Sequence, residues 1–263
     1  MTDENKLNWL QEFFRKRREN KKKKMDKLKS KGIVYKIFRS IGKTILYFFI
    51  FTILWVVVYK FVDPPFTSLM IIRYFEDDSE EKSIEKDWVN IDDISPDFLL
   101  ACVAAEDQLF FDHFGFDIKA IEKALKYNER RQGEKIKGAS TISQQCAKNV
   151  FLWPDRTWVR KGLEVYFTLL IELIWGKERI LEVYANVIEL GKNIYGVEAA
   201  SQIYFNKSAV KLTRYQSASL GATIKNPLKR NPKTGVGGRQ SWVLGQMGNL
   251  GNLVEENLGI EKK

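Results

Sequence analysis

Sixteen consecutive residues without a charge, TILYFFIFTILWVVVY, run from Thr44 to Tyr59 between Lys43 and Lys60. No Gly or Pro interrupts them, and Phe61 and Val62 continue the apolar stretch beyond Lys60. A helix that crosses a bilayer needs about 20 mostly apolar residues, because the hydrocarbon core is about 30 Å thick. Lys60 can snorkel its ammonium to the interface, which brings residues 44–62 to that length. A cleaved signal peptide is the alternative, but the leading tail is long and DPPFT, not a small-residue cleavage site, follows. Charge then sets the orientation: residues 1–42 hold 14 Lys/Arg and 5 Asp/Glu, whereas residues 61–100 hold 3 basic and 11 acidic residues. The basic side stays cytoplasmic, so the chain reads as a single-pass anchor with its N-terminus inside and the rest outside.

Nine of the ten net positive charges sit in that tail, since the residues after 42 carry 29 basic and 28 acidic side chains. A basic tail beside a membrane span is no nucleic-acid face, and no nucleic-acid partner is expected. One histidine and two cysteines exclude a conventional His/Cys zinc site and make any Ser-His-Asp triad depend on His113 alone. Cys102 and Cys146 could pair in an oxidising compartment. Each lies in an apolar helical context, however, which favours two buried small hydrophobes. GVGG at 235–238 follows no strand pattern and reads as a flexible turn, not a phosphate loop.

Beyond the anchor the periodicity is helical. SPDFLLACVAAEDQLF opens with Ser95 as N-cap, Pro96 at the first helical position and Asp97 in the first turn. TWVRKGLEVYFTLLIELIW repeats through Val159, Leu163, Phe167, Leu170 and Ile174, which predicts a central helix. GKERILEVYANVIELG predicts a helix ending at Gly191 as its C-terminal cap, and TRYQSASLGATIKNP another, stopped by Pro227. No two-residue alternation argues for strands. This periodicity predicts an all-α domain from Ser95, an acidic connector over 63–94 and a partly ordered tail over 228–263.

Two carboxylates stand out in these helices. Glu106, in AAEDQLFFDHFGFD, falls toward the C-terminal end of its helix and beside Phe110, Phe111, Phe114 and Phe116. The helix dipole and desolvation by the rings both raise a carboxylate pKa, which suits a proton acceptor near neutral pH. The bland alternative has Glu106 and Asp107 facing water while the rings face a core. Glu164 is a second carboxylate, one turn after Arg160 and Lys161 on an otherwise apolar helix, and a simple i,i+4 ion pair is the alternative. Between them lies GASTISQQCAKNVF, where Ser140 can cap and Thr141, Gln145 and Lys148 fall along one helix face. A helix N-terminus with hydroxyls, an amide and a lysine on one stripe reads as an anion site, and a solvated polar face is the alternative.

EDQLFFDHFGFD, GASTISQQCAKN, RKGLEVYFTLLIELIWGKERILEVYANVIELG and IYGVEAASQIYF resemble, in order and spacing, the motifs of the peptidoglycan glycosyltransferases. This is glycosyltransferase family 51, shared with the N-terminal domain of bifunctional penicillin-binding proteins. The resemblance covers roughly residues 64–250. DPPFTSLMIIR, the Asn226–Pro227 pair and the end near residue 263 look like the monofunctional biosynthetic form, with no room for a transpeptidase domain. Cys146 replaces the usual Thr or Leu, and Ala185 the usual Leu; neither touches the chemistry. The resemblance implies a lysozyme-like, all-α glycosyltransferase domain with a small membrane-adjacent jaw, to which IEKALKYNERRQGEKIK looks to contribute a mobile loop. It implies lipid II as substrate, polymerised into β-1,4 glycan with inversion and release of undecaprenyl pyrophosphate. Carried over by motif position, Glu106 is the general base and Glu164 lies on the donor side near the pyrophosphate. Asp107, Phe110 and His113 shape the site, with His113 orienting the motif by a hydrogen bond. Ser140, Thr141, Gln145, Lys148, Asn149, Arg160 and Lys161 are the substrate-binding positions. No cofactor is required; a divalent cation (Mg or Mn) held by Glu164 is the one metal the chemistry leaves room for.

The resulting organisation is a basic cytoplasmic tail (1–43), a transmembrane helix (44–62), an acidic connector (63–94), a glycosyltransferase domain (95–250) and a C-terminal tail (251–263). It belongs in a bacterial inner (cytoplasmic) membrane with the catalytic domain periplasmic. Expected partners are lipid II, the growing glycan strand, the membrane, and cell-wall synthesis or division proteins. A membrane-anchored peptidoglycan hydrolase or lytic transglycosylase stays open as an alternative, with less need for the cationic stripe. A non-catalytic cell-wall assembly scaffold stays open too, with no need of Glu106, Glu164 or Lys148.

Overall fold

A computed structural model describes residues 3–80, 82–131, 137–155 and 157–260. The chain divides into two compact units, residues 1–55 and 56–263. Helix α1 (Asp3–Phe61) supplies the first and enters the second. Among the described residues it is the one helix long and apolar enough to cross a membrane. Along its uncharged run Ile45, Leu46, Tyr47, Phe51 and Leu54 are all exposed. A helical stretch that leaves so many large apolar side chains exposed has lipid as its natural solvent.

The second unit is helical around α3 (Pro96–Glu106). Its ten residues from Pro96 to Ala105 are buried, because α9 (Arg214–Thr223), α10 (Gly237–Leu250), α11 (Leu253–Leu258) and α7 (Gly176–Val187) pack on it. Ser95 begins α3 but does not cap it; its hydroxyl donates to the Leu212 carbonyl, while Asp97 pairs with Arg214. A second layer is α5 (Ile142–Phe151) packed on α6 (Trp158–Ile174), α7 and α2 (Ser68–Glu76). Helices α4 (Ile118–Arg130) and α8 (Val197–Phe205) complete the described set.

Several expectations need correction. Residues 63–94 carry α2 and strand β1 (Glu85–Lys86). The helix expected to reach Gly191 ends at Val187, and β2 (Glu189–Gly191) and β3 (Ile194–Tyr195) follow. These form a small sheet in the order β1-β3-β2, too short for alternation to show in sequence. The segment read as a partly ordered tail contains α10 and α11, which bury Val243, Met247 and Val254. Part of the segment expected as a mobile loop, 132–136, lies outside the described residues. Of the line predicted on α6 Phe167 is buried, together with Arg160, Glu164, Thr168, Ile171 and Glu172, whereas Val159 is exposed, as are Trp158 at 92% and Leu173 at 71%.

The last turn of α1 is seated on the α6–α7 junction. The Trp175 indole donates to the Val56 carbonyl, and Arg179 donates to the carbonyls of Tyr59 and Val62 and pairs with Asp63. The Tyr59 carbonyl lies in the last turn, where helical donors run out, and a guanidinium there also complements the negative end of the dipole.

Candidate active site

Glu106 is the last residue of α3, so its side chain leaves the buried core at the rim of the neighbouring α5. Its Oε2 accepts from Gln145 Nε2 at 2.9 Å, and Tyr184 Oη donates to Gln145 Oε1 at 3.3 Å, which fixes the amide's orientation. Glu106 Oε1 is buried with no hydrogen-bond partner among the described residues. One oxygen is therefore held while the other has a free lone pair, the arrangement a proton acceptor needs. The partners the structure gives this carboxylate are polar, not aromatic. Phe110 is fully buried against Phe111, and Phe114 is half exposed.

Thr141, not Ser140, caps α5: its hydroxyl accepts from Gln144 N, and the Gln144 side chain accepts from Thr141 N in return. Ser140 is exposed one residue before the cap. The same Thr141 hydroxyl donates to the Gly115 carbonyl at 2.7 Å. Asp107 Oδ2 accepts from Ile142 N at 3.0 Å, so the anion at this helix N-terminus is the chain's own carboxylate. That corrects the expectation of a ligand site there. Asp107 Oδ1 meets His113 Nε2 at 2.9 Å.

The cationic part of the site lies farther along. On α6, Glu164 accepts from Arg160 Nη1 at 2.7 Å and from Lys161 Nζ; its side chain is 4% exposed. On α5, Lys148 is half-buried, and burial lowers its pKa while attraction to Glu164 and Glu106 opposes the shift. Arg160 and Lys161 also act on it electrostatically, so Lys148 stands within range of both carboxylates. Beyond Lys148 and Asn149 opens a recess of ≈ 350 Å³, also lined by Arg73, Trp153 and Glu189. The residues at Glu164 do not make a divalent-cation site by themselves. Its two oxygens already face two cations, and no group of three or more His, Cys, Asp or Glu that could hold a metal occurs among the described residues.

Arg239 was not legible as a site residue. It reaches from α10 to donate to the Ala105 carbonyl at 3.0 Å, stacks on Trp242, and is attracted by Glu106. Tyr184 is likewise close enough that Glu106, after burial, raises its pKa. Cys102 and Cys146 are free, buried thiols whose pKa values burial raises.

A carboxylate with one open oxygen, a lysine attracted by two carboxylates and an arginine–lysine pair are the kinds of group that glycosyl transfer from a phosphate leaving group calls for, a proton acceptor and cations able to stabilise an anion. The family model described as Transglycosylase matches residues 74–248. The chain is 46% identical to a biosynthetic peptidoglycan transglycosylase of Shewanella oneidensis, over 84% of this chain and 95% of the relative. It is 51% identical to one of Bdellovibrio bacteriovorus, over 79% and 84% respectively. Against one of Bacteroides thetaiotaomicron it is 47% identical, over 88% of this chain and 92% of the relative. The chain belongs to the transglycosylase family. It is an enzyme of peptidoglycan synthesis, a peptidoglycan glycosyltransferase with a helical, lysozyme-like domain.

Proposed function

We propose that the enzyme polymerises lipid II, using Glu106 as the general base and Lys148, Arg160 and Lys161 as the pyrophosphate-binding cations. The acceptor sugar hydroxyl is a poor nucleophile and gives its proton to Glu106 as its oxygen bonds to the donor's anomeric carbon. The bond from that carbon to the lipid pyrophosphate breaks with inversion. A pyrophosphate is a good leaving group, so it needs charge stabilisation, not a strong acid. Glu164 holds Arg160 and Lys161 in place until the pyrophosphate takes over as their counter-ion. Gln145 carries this reading: it ties the base to the helix that bears Lys148, 2.9 Å from Glu106 Oε2. A lipid-borne substrate also suits the exposed Ile118 and Leu125 of α4 and the outward apolar face of α6.

The same reading places the protein in the inner membrane, N-terminus cytoplasmic and catalytic domain periplasmic, where lipid II is displayed. A reporter fused after Lys263 should then be active only if it works outside the cytoplasm. Cell-wall synthesis and division proteins are the protein partners this location proposes. The decisive experiment incubates the purified full chain with labelled lipid II and separates the products by size. Polymer with release of lipid pyrophosphate supports the reading. Shortening of preformed glycan without polymer would favour a hydrolase, and neither activity would leave a scaffold.

A further inference from the structure

Behind the loop that follows the base lies a charged pair that the mechanism above leaves unused. Glu172, near the end of α6, has a side chain only 2% exposed. It accepts from Ser143 Oγ on α5 and from Lys177 Nζ on α7, the latter at 2.7 Å. Lys177 Nζ also donates to the His113 carbonyl at 2.7 Å and sits 4.6 Å from the centre of the Phe110 ring. One buried carboxylate thus joins three helices, and through Lys177 it grips the Asp107–Asp117 loop in its middle. Removing charged groups from water is costly, so a buried pair spanning four elements needs a reason beyond stability.

The geometry supplies one. The loop is attached at Asp107 by Ile142 N, at Gly115 by Thr141, and between them by Lys177. The middle attachment is the one that sets His113, whose ring meets Asp107 next to Glu106. We infer that Glu172 and Lys177 are positioning residues for the polymerisation reaction: they brace the 107–117 loop so that Asp107, and with it Glu106, keeps its place against α5. This rests on the assignment of Glu106 as base. Neither residue touches substrate in this account.

The test uses the purified full chain in detergent, with lipid II polymerisation read as kcat and KM separately and amide hydrogen exchange read on the 107–117 peptides. Lys177→Met keeps the stem over Phe110 and removes both hydrogen bonds. It should lower kcat by about 10–100-fold, the scale for small displacements of a catalytic group, leave KM unchanged and speed exchange in the loop. Lys177→Arg, which retains charge and donors, should recover most of kcat. Glu172→Gln keeps an acceptor for Ser143 and carries the test should Lys177→Met fail to fold. The double variant should be no worse than the worse single one, because the two act as a unit. Folded variants with wild-type kcat, a loss of kcat without faster loop exchange, or no recovery with arginine would overturn the inference. Retained polymerisation in Glu106→Gln would instead sink the base assignment and leave the loop-exchange result standing.

Discussion

Replacing Gly115 by alanine is the sharpest perturbation of the loop that presents the base. Gly115 has φ +77, and a Cβ there would sit 2.7 Å from Thr168 Cγ2 and 3.1 Å from Glu172 Cγ. Neither neighbour can move cheaply. Thr168 is fully buried with its hydroxyl on the Glu164 carbonyl at 2.7 Å, and Glu172 is held by Ser143 and Lys177. The left-handed backbone costs a non-glycine residue about 1–2 kcal/mol. Overpacking a site that cannot relax adds about 1–3 kcal/mol. The sum, about 2–5 kcal/mol, corresponds to a melting temperature lower by roughly 5–15 °C in a unit of this size. The assay is thermal unfolding of the full chain in detergent, with Gly138→Ala as control, because a Cβ at Gly138 meets nothing within 4 Å. Lipid II polymerisation should fall too, since an outward shift of the loop breaks the Thr141–Gly115 bond. A melting point within about 2 °C of wild type, or equal losses in the two variants, would refute the reasoning.

Other consequences follow from the same geometry. Glu106→Gln keeps the contact with Gln145 but cannot take a proton, so polymerisation should fall by about 10²–10⁴-fold or more with thermal stability level or raised. Near-normal rates would end its assignment. Burial lowers the Lys148 pKa, so its charge, and with it pyrophosphate binding, should be lost as pH rises through a value below the ordinary lysine range. The folding cost of burying its ammonium is present at neutral pH and fades over that same rise. Lys148→Arg should push the alkaline limb of kcat/KM to higher pH, and an unmoved limb would make Lys148 a bystander. Glu164→Gln leaves Arg160 without its anion in a buried site, a change that typically costs about 3–5 kcal/mol and is smaller here to the extent that glutamine still accepts a bond. Its loss of rate should be the same with magnesium, manganese or chelator; a loss that depended on the metal would restore Glu164 as a metal ligand.

What was legible in the sequence was whatever local chemistry enforces. Thr44–Tyr59 must be helical if it crosses lipid, because no water is there to satisfy its backbone. Pro96, the i,i+4 apolar spacings and the motif order likewise announced helices and placed Glu106, Lys148 and Glu164 on them. Local patterns could not say which face of an element meets which neighbour. In helix α6 the apolar periodicity favoured the line through Val159, whereas packing turned Arg160, Glu164 and Glu172 inward. Residues 189–191 pair with β3 in runs of two or three residues, below the length at which alternation carries information. The anion at the start of α5 proved to be Asp107, 35 residues away in sequence. Arg239 reaches the end of α3 across 134 residues, and Gln145 reaches Glu106 across 39. These are long-range contacts, formed only when separate helices pack. Helical propensity, set by neighbours three and four residues apart, holds no record of them.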